Sequence, residues 1–373
     1  MLVSAVVSTY NAERFIEGRL RNLLAQSLFR KGQLEIIVID AASQEGESSI
    51  VRDFALNNLG IRYYRCQTRE TVYASWNRGV NLSRGQYFIN ANSDDLFVED
   101  GLERLVEVLE KRQELGAVYG DWYYTVTEND SLVPSATKTL HRYPDFYSPL
   151  LFYLQVTSHA LMVRRELFEK IGYFDDKMVV CGDRDWVFRF AVAGFTAFHL
   201  SQPIGLYLHR EDSLERSQSA VAAQEFDRLL KLYTKPREFA SLHGQRLEVP
   251  GNQELARLFA VTGALGIHFA TRDKNGSLRL PQQTMIFFRR ALAMDPDNFT
   301  AANNLAVLAA LQGKKDFAIE RLVRLSALAG LSMEKKAQVR RNLAALNHGC
   351  RDIDDFMWHS GDGQSLKGDQ DGD

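Results

Sequence analysis

Tyr87-Phe88-Ile89-Asn90-Ala91-Asn92-Ser93-Asp94-Asp95 is a strand-forming run that passes without a break into a polar end bearing two adjacent carboxylates. Working outward from it, upstream residues alternate between helix and strand patterns. Tyr73 to Leu82 reads as a helix, Ile61-Arg62-Tyr63-Tyr64 as a short strand, and Ser48 to Asn58 as another helix. Glu35-Ile36-Ile37-Val38-Ile39-Asp40 is a continuous β-branched run, as in a strand covered on both faces. A helix over about Ala12 to Gln26 carries Phe15, Ile16, Leu20, Leu23 and Leu24 near helical spacing. Leu2 to Ser8 gives a first buried strand that ends in Thr9-Tyr10-Asn11. This βαβ alternation predicts an α/β fold with a mostly parallel sheet and right-handed crossovers.

In open parallel sheets, ligands bind beyond the carboxyl ends of the strands. Tyr10, Asp40 and the Asn92–Asp95 cluster therefore share one rim. A pyrophosphate on that rim calls for a hard cation held by carboxylates, with several waters retained. Tyr10 offers a stacking surface and Asp40 an acceptor for a base imide. No P-loop and no GxGxxG is present, so the mode differs from that of kinases and dehydrogenases.

The chain has 373 residues, which suggests two domains. It is 45% hydrophobic and 25% charged, so each half can bury a core. With 45 basic and 47 acidic residues, the net charge of −2 leaves no electrostatic footprint for nucleic acid. Cys66, Cys181 and Cys350 are far apart, without zinc spacing, which points to a reducing compartment. The beginning lacks a signal-peptide profile, and no window approaches about 20 consecutive apolar residues. These features predict a cytoplasmic protein without a transmembrane segment, compatible with peripheral attachment at the inner membrane.

After about Tyr233, proline and glycine punctuate a connector, and the pattern becomes helical. A helix ends at Asp295-Pro296-Asp297-Asn298, a second helix follows, Gly313-Lys314 forms a turn, and a third helix covers about Asp316 to Leu325. Over roughly 282–328 this resembles the tetratricopeptide repeat, a unit of about 34 residues. The expected division is 1–235 for the α/β domain, 236–254 for a linker, 255–348 for an all-α repeat domain and 349–373 for a disordered tail.

The ordered motifs carry a more specific resemblance. Val7-Ser8-Thr9-Tyr10-Asn11, Ile36-Ile37-Val38-Ile39-Asp40 and Asn92-Ser93-Asp94-Asp95 look like the successive motifs of family-2 glycosyltransferases of the GT-A fold. So do Val72 to Val80, Arg165 to Asp175 and Gly182-Asp183-Arg184-Asp185-Trp186. The resemblance covers roughly 1–230. It implies a nucleotide-sugar donor (UDP-, GDP- or dTDP-linked), a glycan or protein acceptor, Mn²⁺ or Mg²⁺, and inversion at the anomeric carbon. Nucleotide contacts fall on Thr9, Tyr10, Asn11, Asp40, Asn77, Asn92, Ser93 and Asp94. Metal ligation falls on Asp94, Asp95 and His209, and Asp183 is the implied general base. The helical repeats would serve a protein partner or a homo-oligomer, or else pack on the α/β domain and add no partner.

Departures from the family pattern are visible. Asp40-Ala41-Ala42-Ser43 stands where relatives often show Asp-Asp-Gly-Ser, Asn92 replaces the first carboxylate of the metal motif, and Gly182 precedes the base in place of Glu. Structural readings compete at several positions. Asp94-Asp95 alone fits a turn pair, Asp183 and Asp185 fit helix-start charges, Tyr10 fits core packing, and a lone His209 fits a structural role. Trp76 and Trp186 read as sheet packing, Asp295–Asn298 as a helix stop, and His159 is left outside the site. Two alternatives to the transferase are a catalytically silent, repeat-based adaptor and a nucleotidyltransferase. The second would want a Gly-rich phosphate loop, of which Asn11-Ala12-Glu13-Arg14 is a poor version.

Overall fold

The computed structural model describes residues 1–132, 135, 138–245, 250–274, 278–350, 356 and 358–359. It comprises two compact units: Met1–Ser148 with Gln155–Thr234, and Pro149–Leu154 with Lys235–Asp373.

The first unit is built on β1 (Val3–Thr9), β2 (Leu34–Asp40), β3 (Ile61–Arg65), β4 (Tyr87–Asn90), β5 (Leu96–Phe97), β6 (Ala117–Thr125), β7 (Thr139–His141), β8 (Met162–Arg164) and β9 (Ala197–Leu208). Its sheet order is β3-β2-β1-β4-β8-β6-β9-β5, with β7 added on β6. Helices α1 (Glu13–Leu24), α2 (Glu47–Asn57) and α3 (Val72–Leu82) are the crossovers that make β3, β2, β1 and β4 mutually parallel. Every residue of β2 is buried, as its unbroken apolar run requires.

Beyond β4 the sheet is mixed. β4–β8, β8–β6 and β5–β9 are antiparallel, while β6–β9 returns to parallel. The helix α3 lies close on β1 because Gly79 has no side chain; a Cβ there would stand 2.3 Å from Val6 Cγ1. Its amino end is capped by Thr71 Oγ1, which accepts from Ala74 N–H at 3.1 Å.

In the second unit the longer helices are Asn252–Leu265, Gln282–Met294, Phe299–Leu311, Lys315–Ser326 and Met333–Asn347. Each packs on the next along the chain. Asp295 closes one helix and Asn298 caps the following one, its Oδ1 accepting from Ala301 N–H at 3.0 Å. A small antiparallel ladder, Thr271–Arg272 with Leu278–Arg279, interrupts a region whose sequence reads as helical throughout. The tail expected to be disordered from 349 lies mostly outside the described residues. Within it Phe356 is 6% exposed and packs into the helical core, with Trp358 against the same cluster. No helix among the described residues is long and apolar enough to cross a membrane.

Candidate active site

The carboxyl ends of β1, β2 and β4 place the predicted residues side by side. Asn11 takes a left-handed φ of 49° and ties two strand-end loops together. Its Oδ1 accepts from Gln44 N–H at 2.8 Å, and its own N–H donates to Ser43 Oγ at 3.2 Å. Tyr10 is half-buried with the Arg69 guanidinium 4.1 Å above its ring, so it is not core packing; its face is already a stacking surface. Thr9 is buried, and its Oγ1 has no hydrogen-bond partner among the described residues.

Asp40 sits at the expected strand end but is 0% exposed. Its oxygens accept from Ser43 N–H at 2.7 Å, Tyr63 Oη at 2.6 Å and Arg65 at 2.7 Å. A buried carboxylate needs such donors, and here they are Ser43, Tyr63 and Arg65. Asn77 is also held within the chain. Its Nδ2 donates to Phe174 O at 2.9 Å and its Oδ1 accepts from Phe174 N–H at 3.0 Å, which spends both ends of the amide on a loop.

The metal motif divides into an inward and an outward carboxylate. Asp95 is 2% exposed, accepting from Leu208 N–H at 3.3 Å and from Asn92 Nδ2 at 3.1 Å. Burial first, then the neighbouring Asp94 charge, push its carboxyl well above the ordinary range, with Arg19 opposing them. Arg19 itself is 1% exposed, donates to the Asp95 carbonyl at 2.8 Å and lies 4.5 Å over the Phe97 ring.

Asp94 faces outward, onto a cavity of about 100 Å³ also lined by Phe15, Ser93 and Asp130. Its Oδ2 accepts from Arg210 Nε at 2.8 Å. His209 does not join it; that imidazole meets Arg216, and its backbone N–H donates to Thr125 O at 2.8 Å. Among the described residues no three acidic, imidazole or thiol side chains gather as a metal cage. An outward hard-oxygen donor still fits a cation that is bound through one carboxylate, water and substrate phosphates. Asp95 is held by Leu208 and Asn92, and His209 by Arg216.

Asp183 opens the helix Gly182–Val192. Its Oδ1 accepts from Arg184 N–H at 2.8 Å and from Tyr73 Oη at 3.2 Å. Desolvation raises its carboxyl above the ordinary 3.8, and these two donors hold it back. The side chain lines a cavity of about 30 Å³ walled by Trp76, Asn90, His159, Phe174 and Trp186. Gly182 is required by space, since a Cβ would lie 2.7 Å from the Tyr73 ring.

The preceding loop is held by a residue that nothing in the sequence singles out. Glu225 accepts from the N–H groups of Val179, Val180 and Cys181 at 2.7, 2.9 and 2.8 Å. Asp185 has a structural part, pairing with Arg189 at 2.8 Å and accepting from Tyr233 Oη at 2.9 Å.

His159, left outside the site on sequence grounds, joins its two halves. Its ring lines the Asp183 cavity, and its Nε2 stands 3.8 Å from Asp95 Oδ2. Burial, followed by His141 and Arg19, lowers its pKa to about 3, so the imidazole is neutral. Trp122 and Tyr207 hold it with ring centroids at 4.2 and 4.4 Å.

The mixed sheet with its flanking helices is a GT-A fold. Residues 4–172 match the family model of glycosyl transferase family 2. An uncharacterised glycosyltransferase of Methanocaldococcus jannaschii is 24% identical over 190 residues, covering 50% of this chain and 64% of that protein. The uncharacterised glycosyltransferase EpsJ of Bacillus subtilis is 26% identical over 260 residues, covering 65% of this chain and 71% of EpsJ. A crystal structure of S. aureus TarS 1–349 superposes with a TM-score of 0.53 at 18% identity, covering 94% of this chain and 92% of that one. The same TarS fragment in complex with UDP gives 0.52. The chain spans less than two thirds of the archaeal relative's length and 54% of the longer TarS chain.

Proposed function

We propose that this protein transfers a sugar from a nucleoside-diphosphate donor to an acceptor hydroxyl, with inversion, using Asp183 as general base. The observation that carries the proposal is the Asp183 carboxylate, poised by two donors at a helix start, facing a cavity and raised in pKa by desolvation. A base with a raised pKa lies nearer the working pH and takes a proton more effectively.

In this reading Asp183 removes the acceptor proton as the acceptor oxygen attacks the anomeric carbon opposite the leaving diphosphate. One displacement inverts that centre. Tyr10, under Arg69, and the Asn11 loop bind the nucleoside, while Asp40 holds Arg65 and Tyr63 in place. Asp94 would hold a divalent cation, which when bound supplies neutralisation of the leaving diphosphate. Arg210, released from Asp94, is placed to meet a phosphate. Asp95 and Arg19 keep the turn rigid from below. UDP is the first nucleotide to test, because TarS shares the fold and has been solved with it; GDP and dTDP follow. The acceptor is assigned as a glycan or a protein hydroxyl, and the helical unit as a tetratricopeptide-like module serving association.

The test is Asp183→Asn, with nucleotide affinity and transfer measured separately. Transfer should fall by roughly 10²–10⁴-fold with nucleotide affinity unchanged. Near-normal transfer by the variant overturns the assignment.

A further inference from the structure

The strands beside the Asp183 cavity carry aromatic side chains at alternate positions. β6 pairs with β9 so that Tyr124 lies beside Tyr207, and with β7 so that Trp122 lies beside His141. Paired residues point to the same side of a sheet and alternate residues share a face, so these rings form one surface. The Tyr124 and Tyr207 centroids are 4.8 Å apart, and His141 stacks on Tyr124 at 4.9 Å. The row starts at the proposed base. His159 lines the Asp183 cavity, and its ring lies 4.4 Å from that of Tyr207.

Exposure rises along the row: Trp122 is buried, Tyr124 and Tyr207 are half-buried, and His141 is exposed. A core would bury every one of these rings, and a plain solvated strand face would carry polar residues in their place. Free polar groups accompany them. Among the described residues, Tyr207 Oη, the His141 ring nitrogens and the Glu215 carboxylate make no hydrogen bond or ion pair. Burial raises the pKa of Tyr124, Tyr207 and Asp183, and the Glu215 charge adds to all three. That carboxylate is thus within electrostatic reach of the rings and the base alike.

A sugar ring has the matching surface. Its C–H groups carry slight positive charge and settle on the negative face of an aromatic ring, while its hydroxyls need donors and acceptors at the edge. An uncharged glycan also suits rings flanked by Asp95 and Glu215, where a polyanion would meet like charge.

We propose that Tyr207, Tyr124 and His141 form the subsite that holds the acceptor beyond its reacting sugar, so that the acceptor is an uncharged oligosaccharide. This rests on the reading of Asp183 as the base that faces the acceptor. The sugar whose hydroxyl reacts stands at Asp183, and the following sugars lie over Tyr207 and Tyr124. His141 closes the outer end, and Glu215 accepts from their hydroxyls.

The experiment applies the full chain to an array of defined mono-, di- and trisaccharides, neutral and anionic, beside serine- and threonine-bearing peptides. UDP binding is measured in parallel by calorimetry. A neutral trisaccharide should bind about tenfold or more tightly than its own terminal monosaccharide, the gain expected of one stacked ring. His141→Ala removes an exposed ring from an edge strand and should cut trisaccharide binding by about fivefold or more, with UDP affinity unchanged. Tyr124→Ala should abolish the gain from chain length, and Tyr124→Phe should keep it. Three results overturn the subsite: no saccharide bound by the folded wild type, trisaccharide binding untouched in folded His141→Ala, or a preference for anionic glycans or peptides. Ring-dependent saccharide binding in a protein that binds no UDP overturns the transferase reading instead.

Discussion

Replacing Arg210 by Met should tighten, not weaken, Mn²⁺ binding when no nucleotide is present. The Arg210 guanidinium holds Asp94 Oδ2 at 2.8 Å and Asp212 at 3.0 Å, so the proposed metal ligand carries an internal cation. Hydrogen bonds to charged groups contribute about 1.5–3 kcal/mol, whereas fully exposed pairs contribute roughly 0–1. The two side chains are 25% and 17% exposed, which places this pair between those limits. A pair worth about 1.4 kcal/mol that must be broken before a cation binds costs roughly tenfold in affinity.

Met preserves much of the packing over Phe15, whose ring lies 5.3 Å from the guanidinium. Titration of Mn²⁺ followed by electron paramagnetic resonance of the free ion measures the effect directly. UDP binding in the presence of Mn²⁺ should weaken by a similar factor, because the variant has no arginine to offer the diphosphate. Unchanged or weaker Mn²⁺ binding by a folded variant refutes the competition between cation and guanidinium.

Other consequences are testable in the same protein. Because desolvation raises the Asp183 carboxyl above 3.8, and a base must be ionised, kcat/KM should fall as pH drops through a value higher than 3.8. That acid limb should be absent from any residual activity of Asp183→Asn; a limb shared by both proteins points to another group. Ala42 holds a left-handed φ of 63°, which costs a residue with a Cβ about 1–2 kcal/mol; set against glycine's entropic cost of about 0.5–1 kcal/mol, Ala42→Gly should raise the melting temperature by roughly 2–4 °C. A lower melting temperature contradicts the strain. Gly182→Ala drives a methyl into the Tyr73 ring, and overpacking of this kind costs about 1–3 kcal/mol. It should lower both stability and kcat with UDP affinity retained, and calorimetry beside kinetics separates these effects.

Strand runs such as Ile36 to Ile39 are unambiguous because burial on both faces leaves no place for a polar residue. The parallel half of the sheet was therefore legible in the sequence. The antiparallel half was not, since β5, β7 and β8 are two or three residues long and exist only through partners far away in sequence. At the metal motif, adjacent residues beyond the end of β9 point to opposite sides, so one position decides whether His209 or Arg210 reaches Asp94. Sequence pattern does not resolve a one-residue choice. Arg19 reads as a solvent charge on an amphipathic helix and is buried instead, because the helix packs over the turn at Asp95. Ala42 is the reverse case. The absent glycine was visible, and the structure shows the turn kept at the expense of strain.

The three-fold grip of Glu225 on the loop before Asp183 has a consequence for how the chain can be divided. The family match ends at residue 172, ahead of the proposed base and of the helix that steadies it. Cys181 offers no side-chain cap of its own, so the helix start relies on a carboxylate 44 residues further along. A fragment cut between the match and Ser219 would keep the nucleotide-facing strands while the base lost its anchor. On the proposed assignment, a fragment that keeps the base anchored must therefore extend at least through Glu225.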